Sequence, residues 1–247
     1  MRAADSSVSS QVPIQATSRA IQGGLILYDA EQGGKVHDYV FTPSYWRARD
    51  ALGEPLGGRG AAWRITDEAI DWVLRFYRRG GLPGKLIHDS YFYTGIERTR
   101  PWREWHLLAW MWAQGLPVPR PVAARVWRTG LSYRGALITE TVPGRSLAAL
   151  IYDNVVTEAD WSATGACIRR LHDLDVWHAD LNANNILVGK GSAVHLIDFD
   201  RARIRTHGTA WSAANLARLR RSLDKLFPQR QSVRDGWSVL TAAYQDN

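Results

Sequence analysis

The most informative segment of this sequence reads His178-Ala-Asp-Leu-Asn-Ala-Asn-Asn-Ile-Leu-Val188, and after a short turn comes Val194-His-Leu-Ile-Asp-Phe-Asp200. Each quoted stretch contains a short apolar run, and the glycine-containing turn between the two runs predicts a β-hairpin. Asn185 stands just before the first strand, and Asp198 stands just after the second. In an antiparallel hairpin, two such positions are expected to face each other, about 5 Å apart.

Three polar side chains at this hairpin predict a phosphoryl-transfer site. The oxygens of Asn185 and Asp198 can share one hard cation such as Mg2+, which prefers oxygen ligands. Asp180 lies on the loop that leads into the hairpin and can accept the proton of a substrate hydroxyl held in line with a phosphorus atom. We therefore predict Asp180 as the catalytic base. The alternative is that Asp180 and Asn182 only form turns and that Asp198 only caps a strand.

Composition places limits on the class of protein. The chain has 247 residues, of which 45% are hydrophobic and 22% charged, as expected of a soluble protein with one domain or one two-lobed unit. Its single cysteine, Cys167, excludes an intramolecular disulfide framework and fits a reducing compartment. A secretory signal and a membrane-spanning stretch are not expected. The net charge of +7 suits an anionic partner: a nucleotide, a nucleic acid or a lipid surface.

Periodicity divides the chain into a strand-rich half and a helix-rich half. We expect a flexible N-terminus over residues 1–20, an N-terminal lobe over 21–141 and a C-terminal lobe over 142–247. The predicted strands cover residues 61–65, 71–77, 122–127 and 136–141. The predicted helices cover residues 101–114, 157–172 and 215–227, with Thr157 as an N-cap.

The quoted segment resembles a known superfamily. The pattern His-x-Asp-Leu-x-x-x-Asn, followed by an apolar strand and Asp-Phe, is similar to the catalytic and magnesium loops of the protein-kinase superfamily. The longer stretches 177–188 and 196–203 resemble the 3-deoxy-D-manno-octulosonic acid (Kdo) kinase family, and the similarity extends to 72–85 and 115–122. Members of that family phosphorylate the 4-hydroxyl of Kdo on the lipid A precursor during lipopolysaccharide assembly in Gram-negative bacteria.

The resemblance implies a fold, cofactors and a location. The fold is α+β and protein-kinase-like, with an antiparallel-sheet N-lobe that carries one helix and a compact helical C-lobe. ATP and Mg2+ are the implied cofactors, with ATP expected near the segment 137–141 that joins the lobes. The implied partners are a Kdo-linked lipid A precursor and an anionic membrane surface, with no nucleic acid. The implied location is the cytoplasmic side of the bacterial inner membrane, as a peripheral protein.

Family roles carry over to matching positions of this sequence. By resemblance, Asp180 is the base, Asn185 and Asp198 are the magnesium ligands, and Glu104 is the glutamate of the N-lobe helix. The remaining expected nucleotide-binding residues are Gly58 and Gly60 of a short glycine-rich loop, Arg75 on the third kinase strand, and Glu140 in the joining segment.

Three departures from the kinase pattern affect this interpretation. Arg75 stands where kinases have a lysine; it can bind phosphate oxygens and pair with Glu104, and Lys85 is the rival cation. Asp200 replaces the glycine of Asp-Phe-Gly and can add a third carboxylate near the metal. No Ala-Pro-Glu segment follows, which favours a small-molecule or lipid-linked acceptor over a peptide.

The acceptor site is the least determined part of the prediction. Arg201 and Arg203 are candidates to bind the carboxylate or phosphates of the acceptor. Arg218 and Arg221, on the basic helix, are candidates to bind the phosphates of a lipid A acceptor or the membrane surface. A solvated basic surface is the alternative for both sets. His178 is expected to bond backbone groups around the metal loop. Three rival functions remain open: a kinase for another sugar, such as core heptose or an aminoglycoside, a pseudokinase-like binding module, and a nucleic-acid binder suggested by the net charge.

Overall fold

The computed structural model of the protein describes residues 13–56, 62–78, 90–205 and 209–246. The chain divides into two compact units. The first comprises residues 1–116 and 120–140, and the second comprises residues 117–119 and 141–247.

The first unit is built on one antiparallel sheet, which has eight strands among the described residues. The strands are β1 (Ala16–Ile21), β2 (Gly24–Asp29), β3 (Leu52–Pro55), β4 (Ala62–Asp67), β5 (Ile70–Phe76), β6 (Tyr91–Phe92), β7 (Pro121–Thr129) and β8 (Ser132–Glu140). Their order is β1-β2-β7-β8-β5-β4-β3, and β6 pairs with β8 at a separate position. Two helices belong to this unit, α1 (Pro43–Arg47) and α2 (Arg100–Ala113). The expected antiparallel-sheet region is therefore confirmed, whereas the expectation of one helix missed the short α1.

The N-terminal part of the sheet differs from the sequence prediction. β1 begins at Ala16, inside the segment that we expected to be flexible, and pairs along its whole length with β2. A turn at Gly23, whose φ is 76°, joins the two strands, and glycine adopts this left-handed conformation without a steric penalty. β1 is mostly exposed, so it lacks the apolar alternation by which a half-buried strand is identified in a sequence.

α2 packs on the sheet through an apolar stripe. Its fully or nearly fully buried residues recur at helical spacing: Pro101, Glu104, Trp105, Leu108 and Met111. The helix approaches β8 closely at Gly135, where a Cβ atom would lie 2.2 Å from the Pro101 ring. The other face of the sheet is covered by residues 36–46, which bury Trp72 and Leu74 of β5. Since successive strand residues alternate, Arg75 points to the α2 face.

The second unit is mainly helical. Its helices are α3 (Leu147–Tyr152), α4 (Glu158–Asp173), α5 (Thr209–Leu226) and α6 (Gln231–Gln245). Its short strands are β9 (Arg145–Ser146), β10 (Val176–Trp177), β11 (Ile186–Val188), β12 (Val194–Leu196) and β13 (Arg203–Ile204). β12, β11 and β9 form one small sheet, and β10 pairs with β13. Within the described segments, the chain has no helix that is both long and apolar enough to cross a membrane.

Two glycines allow α4 and α6 to pack closely. A Cβ atom at Gly165 of α4 would lie 2.2 Å from the carbonyl oxygen of Leu240, and one at Gly236 of α6 would lie 2.1 Å from the Trp161 ring. α4 begins as predicted, because Thr157 and Asp160 form a reciprocal capping box. α5 contacts this helix pair where Asn215 of α5 bonds to His172 of α4.

Candidate active site

The hairpin that carries the predicted metal ligands has a register one residue away from the one we predicted. Ile186 pairs with Leu196, and the N–H of Ile197 donates to the carbonyl oxygen of Asn185 at 3.0 Å. Asn185 therefore lies opposite Ile197, and the prediction that it faces Asp198 directly is wrong. At Asp198 the backbone turns into the left-handed region, with φ of 64°, which ends the alternation of the strand.

His178 ties the loop that carries the candidate base, residues 178–185, to the end of this hairpin. Its Nδ1 accepts a hydrogen bond from the backbone N–H of Asp180 at 3.2 Å, so the ring proton is on Nε2. Nε2 then donates to the carbonyl oxygen of Ile197 at 3.0 Å. Complete burial lowers the pKa of His178 and keeps the ring neutral. The structural role predicted for His178 is confirmed.

Two asparagine amides hold the main chain of Asp180. The Nδ2 atoms of Asn182 and Asn185 each donate to the carbonyl oxygen of Asp180 at 2.9 Å. Oδ1 of Asn182 accepts from the backbone N–H of Asn184 at 2.9 Å. The turn-forming role weighed for Asp180 and Asn182 is confirmed, and these bonds fix the peptide group that carries the candidate base.

The residues at the hairpin ends suit a magnesium ion. Nδ2 of Asn185 donates to the Asp180 carbonyl oxygen, and Oδ1 of Asn185 makes no hydrogen bond to any described residue. An amide oxygen and a carboxylate are both ligands that Mg2+ accepts. No group of three or more His, Cys, Asp or Glu residues in the described ranges could hold a metal. The third carboxylate expected from Asp200 is therefore not part of such a cluster. Waters and substrate phosphates would have to complete the magnesium shell.

The side chain of Asp180 lies in a pocket of about 360 Å3. Other residues lining it are Asn182, Asn184, Arg218, Arg221, Ser222, Lys225 and Leu226. The Asp180 carboxylate forms an ion pair with Arg218 of α5, and both side chains are nearly half exposed. The structure thus brings two of the predicted acceptor residues, Arg218 and Arg221, into the same pocket as the candidate base.

In the first unit, Arg75 and Glu104 form the predicted ion pair. Nη2 of Arg75 on β5 lies 2.5 Å from Oε1 of Glu104 on α2. The Tyr77 hydroxyl donates to Oε2 of the same carboxylate at 2.7 Å. Glu104 is only 4% exposed, so the contact with a permanent cation offsets the cost of burying its charge.

The chain is similar to known proteins along most of its length. A profile of the lipopolysaccharide kinase (Kdo/WaaP) family matches residues 44–244. The chain belongs to this family of lipopolysaccharide kinases.

Two curated relatives show how far the similarity to the lipopolysaccharide kinases extends. The 3-deoxy-D-manno-octulosonic acid kinase of Stenotrophomonas maltophilia (strain R551-3) is 45% identical over 227 residues, which are 90% of this chain and 89% of that protein. The enzyme of the same name from Photobacterium profundum is 42% identical over 212 residues, or 83% of this chain and 88% of the relative. The bifunctional kinase-methyltransferase WbdD, a solved structure, is 18% identical with a TM-score of 0.48; the match covers 78% of this chain and 45% of WbdD.

In this lipopolysaccharide kinase, a buried network that the sequence did not reveal supports the loop that carries the candidate base. Nδ2 of Asn215 on α5 donates to the carbonyl oxygen of His178 at 2.7 Å. Its Oδ1 lies 3.1 Å from Nε2 of His172, whose Nδ1 lies 2.8 Å from the Tyr244 hydroxyl. The available signal was the position of Asn215 four residues before Leu219 in the buried row of α5, where a polar side chain needs a partner.

The buried His172 predicts a loss of stability in mild acid. Burial is the main reason that its pKa is lowered from the ordinary value of 6.5, although its bond to Asn215 acts in the opposite direction. Below pH 6.5 the unfolded chain takes up a proton that the folded ring resists, so the free energy of unfolding decreases by up to about 1.4 kcal/mol per pH unit. Urea midpoints at pH 7.5 and 5.5 measure this loss. We expect a smaller pH dependence in His172→Gln, and an unchanged dependence would contradict the assignment to His172.

Glu140, a predicted nucleotide-binding residue, makes another contact in this kinase. Oε1 of Glu140 lies 3.3 Å from Nη1 of Arg120, whose Nη2 also pairs with Asp29 at 2.6 Å and Glu31 at 2.7 Å. This ion cluster holds the ends of β2 and β8 together. The nucleotide-binding role of Glu140 stays a prediction.

Of the other predicted acceptor residues, Arg203 lies over the Trp177 ring at 5.4 Å, in the β10–β13 pair. Neither Arg201 nor Arg203 lines the pocket of Asp180. Their role at the acceptor stays a prediction. The glycine-rich loop with Gly58 and Gly60, and the rival cation Lys85, lie outside the described residues.

Proposed function

We propose that this protein transfers the γ-phosphoryl group of ATP to a hydroxyl of Kdo on a lipid A precursor, with the 4-hydroxyl as the acceptor. The observation that carries the proposal is the fixed position of Asp180, whose backbone is bonded by His178, Asn182 and Asn185 at the end of a hairpin that leads to Asp198. Relatives that match most of the chain are named for Kdo, which supports this acceptor over heptose or an aminoglycoside.

Each side chain has a defined part in the proposed reaction. The Asp180 carboxylate receives the proton of the acceptor hydroxyl and orients its oxygen toward the phosphorus atom. Oδ1 of Asn185 and the carboxylate of Asp198 would hold Mg2+, which supplies neutralisation of phosphate charge when bound. Arg75, held by Glu104, offers a permanently charged guanidinium to phosphate oxygens.

We further propose that the protein works at the anionic cytoplasmic surface of the inner membrane, as a peripheral protein. Support comes from the net charge of +7 and from the basic side chains exposed on α5. A lipid-linked acceptor would also be presented at such a surface.

The test is phosphate transfer to a defined acceptor. The purified protein is incubated with Mg-ATP and Kdo-lipid A precursor in anionic vesicles, and mass spectrometry is expected to show one added phosphate on Kdo. Chelation of the metal by EDTA should abolish transfer, and heptose or aminoglycoside acceptors should remain unmodified. Transfer to one of those acceptors, or none to Kdo, would reject the proposed substrate.

The same vesicles test the location. Without acceptor, the protein is expected to sediment with anionic vesicles and to remain in solution with neutral ones. Equal recovery with both would reject the proposed membrane association without bearing on the reaction.

A further inference from the structure

A row of basic side chains on α5 lines the pocket that contains Asp180. Arg218, Arg221 and Lys225 follow one another at spacings of three and four residues, so they lie on one face of the helix. The neighbouring leucine row of α5 is buried, with Leu219 and Leu223 fully enclosed, which fixes the rotation of the helix. The three cations are therefore held beside the candidate base by the packing of the unit itself.

This row has more positive charges than the carboxylates that pair with it in the described structure. Arg218 pairs with Asp180, but Arg221 and Lys225 make no ion pair or hydrogen bond within the part of the chain that the structure describes. Arg220, on another face of the same helix, is matched by Asp224 four residues later. Like charges three or four residues apart on a helix repel each other. A bound anion would remove this repulsion and use both free cations.

The proposed acceptor has a suitable anion. The name of the relatives' substrate identifies it as an octulosonic acid, which carries a carboxylate as well as hydroxyl groups. A hydroxyl held at Asp180 brings the carboxylate of the same sugar toward the cations, because one pocket of about 360 Å3 contains them all. A neutral sugar would leave the charge of Arg221 and Lys225 unmatched.

We propose that Arg221 and Lys225 bind the carboxylate of the acceptor sugar, and that Arg218 joins them while it pairs with Asp180. This inference rests on the proposed function and deepens it, since it names the residues that select an acidic sugar. Two cations on a rigid helix can take the two oxygens of one carboxylate, whereas neither needs to touch the reacting hydroxyl.

Steady-state kinetics with the full chain test the site. In Arg221→Met and in Lys225→Met, the KM for the Kdo-lipid acceptor is expected to rise about 10- to 100-fold. This is the loss of affinity that follows removal of a charge-assisted hydrogen bond. The KM for ATP should not change. Arg221→Lys should recover part of the affinity. Arg220→Met is the matched control, because it removes an arginine from the same helix outside the pocket and should leave both KM values as they are. Both target side chains are exposed, and thermal unfolding verifies that the variants fold.

Modified acceptors identify which anion is bound. With the Kdo carboxylate converted to its methyl ester, the unaltered protein should lose at least as much affinity as either substitution costs. Each variant should lose less than the unaltered protein does, because one of its cations is already absent, so that the affinities of the variants and of the unaltered protein converge. If the affinities of the variants and of the unaltered protein converge instead with a dephosphorylated lipid, the cations bind lipid phosphate. The carboxylate assignment is then overturned. Unchanged acceptor KM in the variants of an active protein would reject the site alone. No transfer by the unaltered protein would reject the proposed function, and this site with it.

Discussion

Asp180→Asn is expected to lower kcat about 10²- to 10⁴-fold, the range that general-base catalysis contributes. The amide keeps the shape of the side chain but cannot accept the proton of the acceptor hydroxyl. The loop should keep its conformation, because His178, Asn182 and Asn185 all bond to the backbone of Asp180 and none depends on its carboxylate. Rapid-quench measurement of phosphate transfer, with unfolding followed in parallel, gives the result.

The matched control for this variant is Asp153→Asn. Asp153 also forms an exposed ion pair with an arginine, Arg145, and both side chains are about half exposed, as in the Asp180–Arg218 pair. Loss of such a pair alone changes stability by no more than about 1 kcal/mol and should not change kcat. If Asp180→Asn retained the activity of Asp153→Asn, the hydroxyl would need no base at this position. The assignment of Asp180 would then be wrong.

Local patterns in the sequence were sufficient to predict the elements that carry the site. α2 and α4 have strong apolar periodicity and clear starts, at Pro101 and at the Thr157 capping box, so both were located within a residue or two. The β11–β12 hairpin was found from two apolar runs around a glycine-containing turn. In each case, the interactions that determine the element lie within a few residues of one another.

Interactions between distant residues explain what the sequence did not reveal. Asp198 adopts a left-handed backbone, which aspartate tolerates but does not require, so the sequence did not reveal it. Arg120 pairs with Asp29, 91 residues away, and the Asn215 amide reaches His178, 37 residues away. A residue pattern shows that such a polar group needs a partner but not which partner the fold supplies.

Arg75→Met is expected to lower the free energy of unfolding by about 1.5–3 kcal/mol, the range for a lost hydrogen bond to a charged group. The reason is the burial of Glu104, which is 4% exposed and loses the guanidinium that lies 2.5 Å from its Oε1. The bond from the Tyr77 hydroxyl at 2.7 Å remains and limits the loss. Urea unfolding of the variant and the unaltered protein measures the difference.

A second ion pair on the same sheet is exposed, and it shows how much of the stability loss is due to burial of the charge. Arg64 on β4 and Asp71 on β5 are bonded at 2.8 Å but are 51% and 47% exposed, so Arg64→Met should cost less than about 1 kcal/mol. Glu104→Met in the Arg75→Met background should restore stability, because removing both charges leaves no buried carboxylate to desolvate. Equal losses for Arg64→Met and Arg75→Met, with no recovery in the double variant, would contradict the assignment of the loss to the buried charge of Glu104.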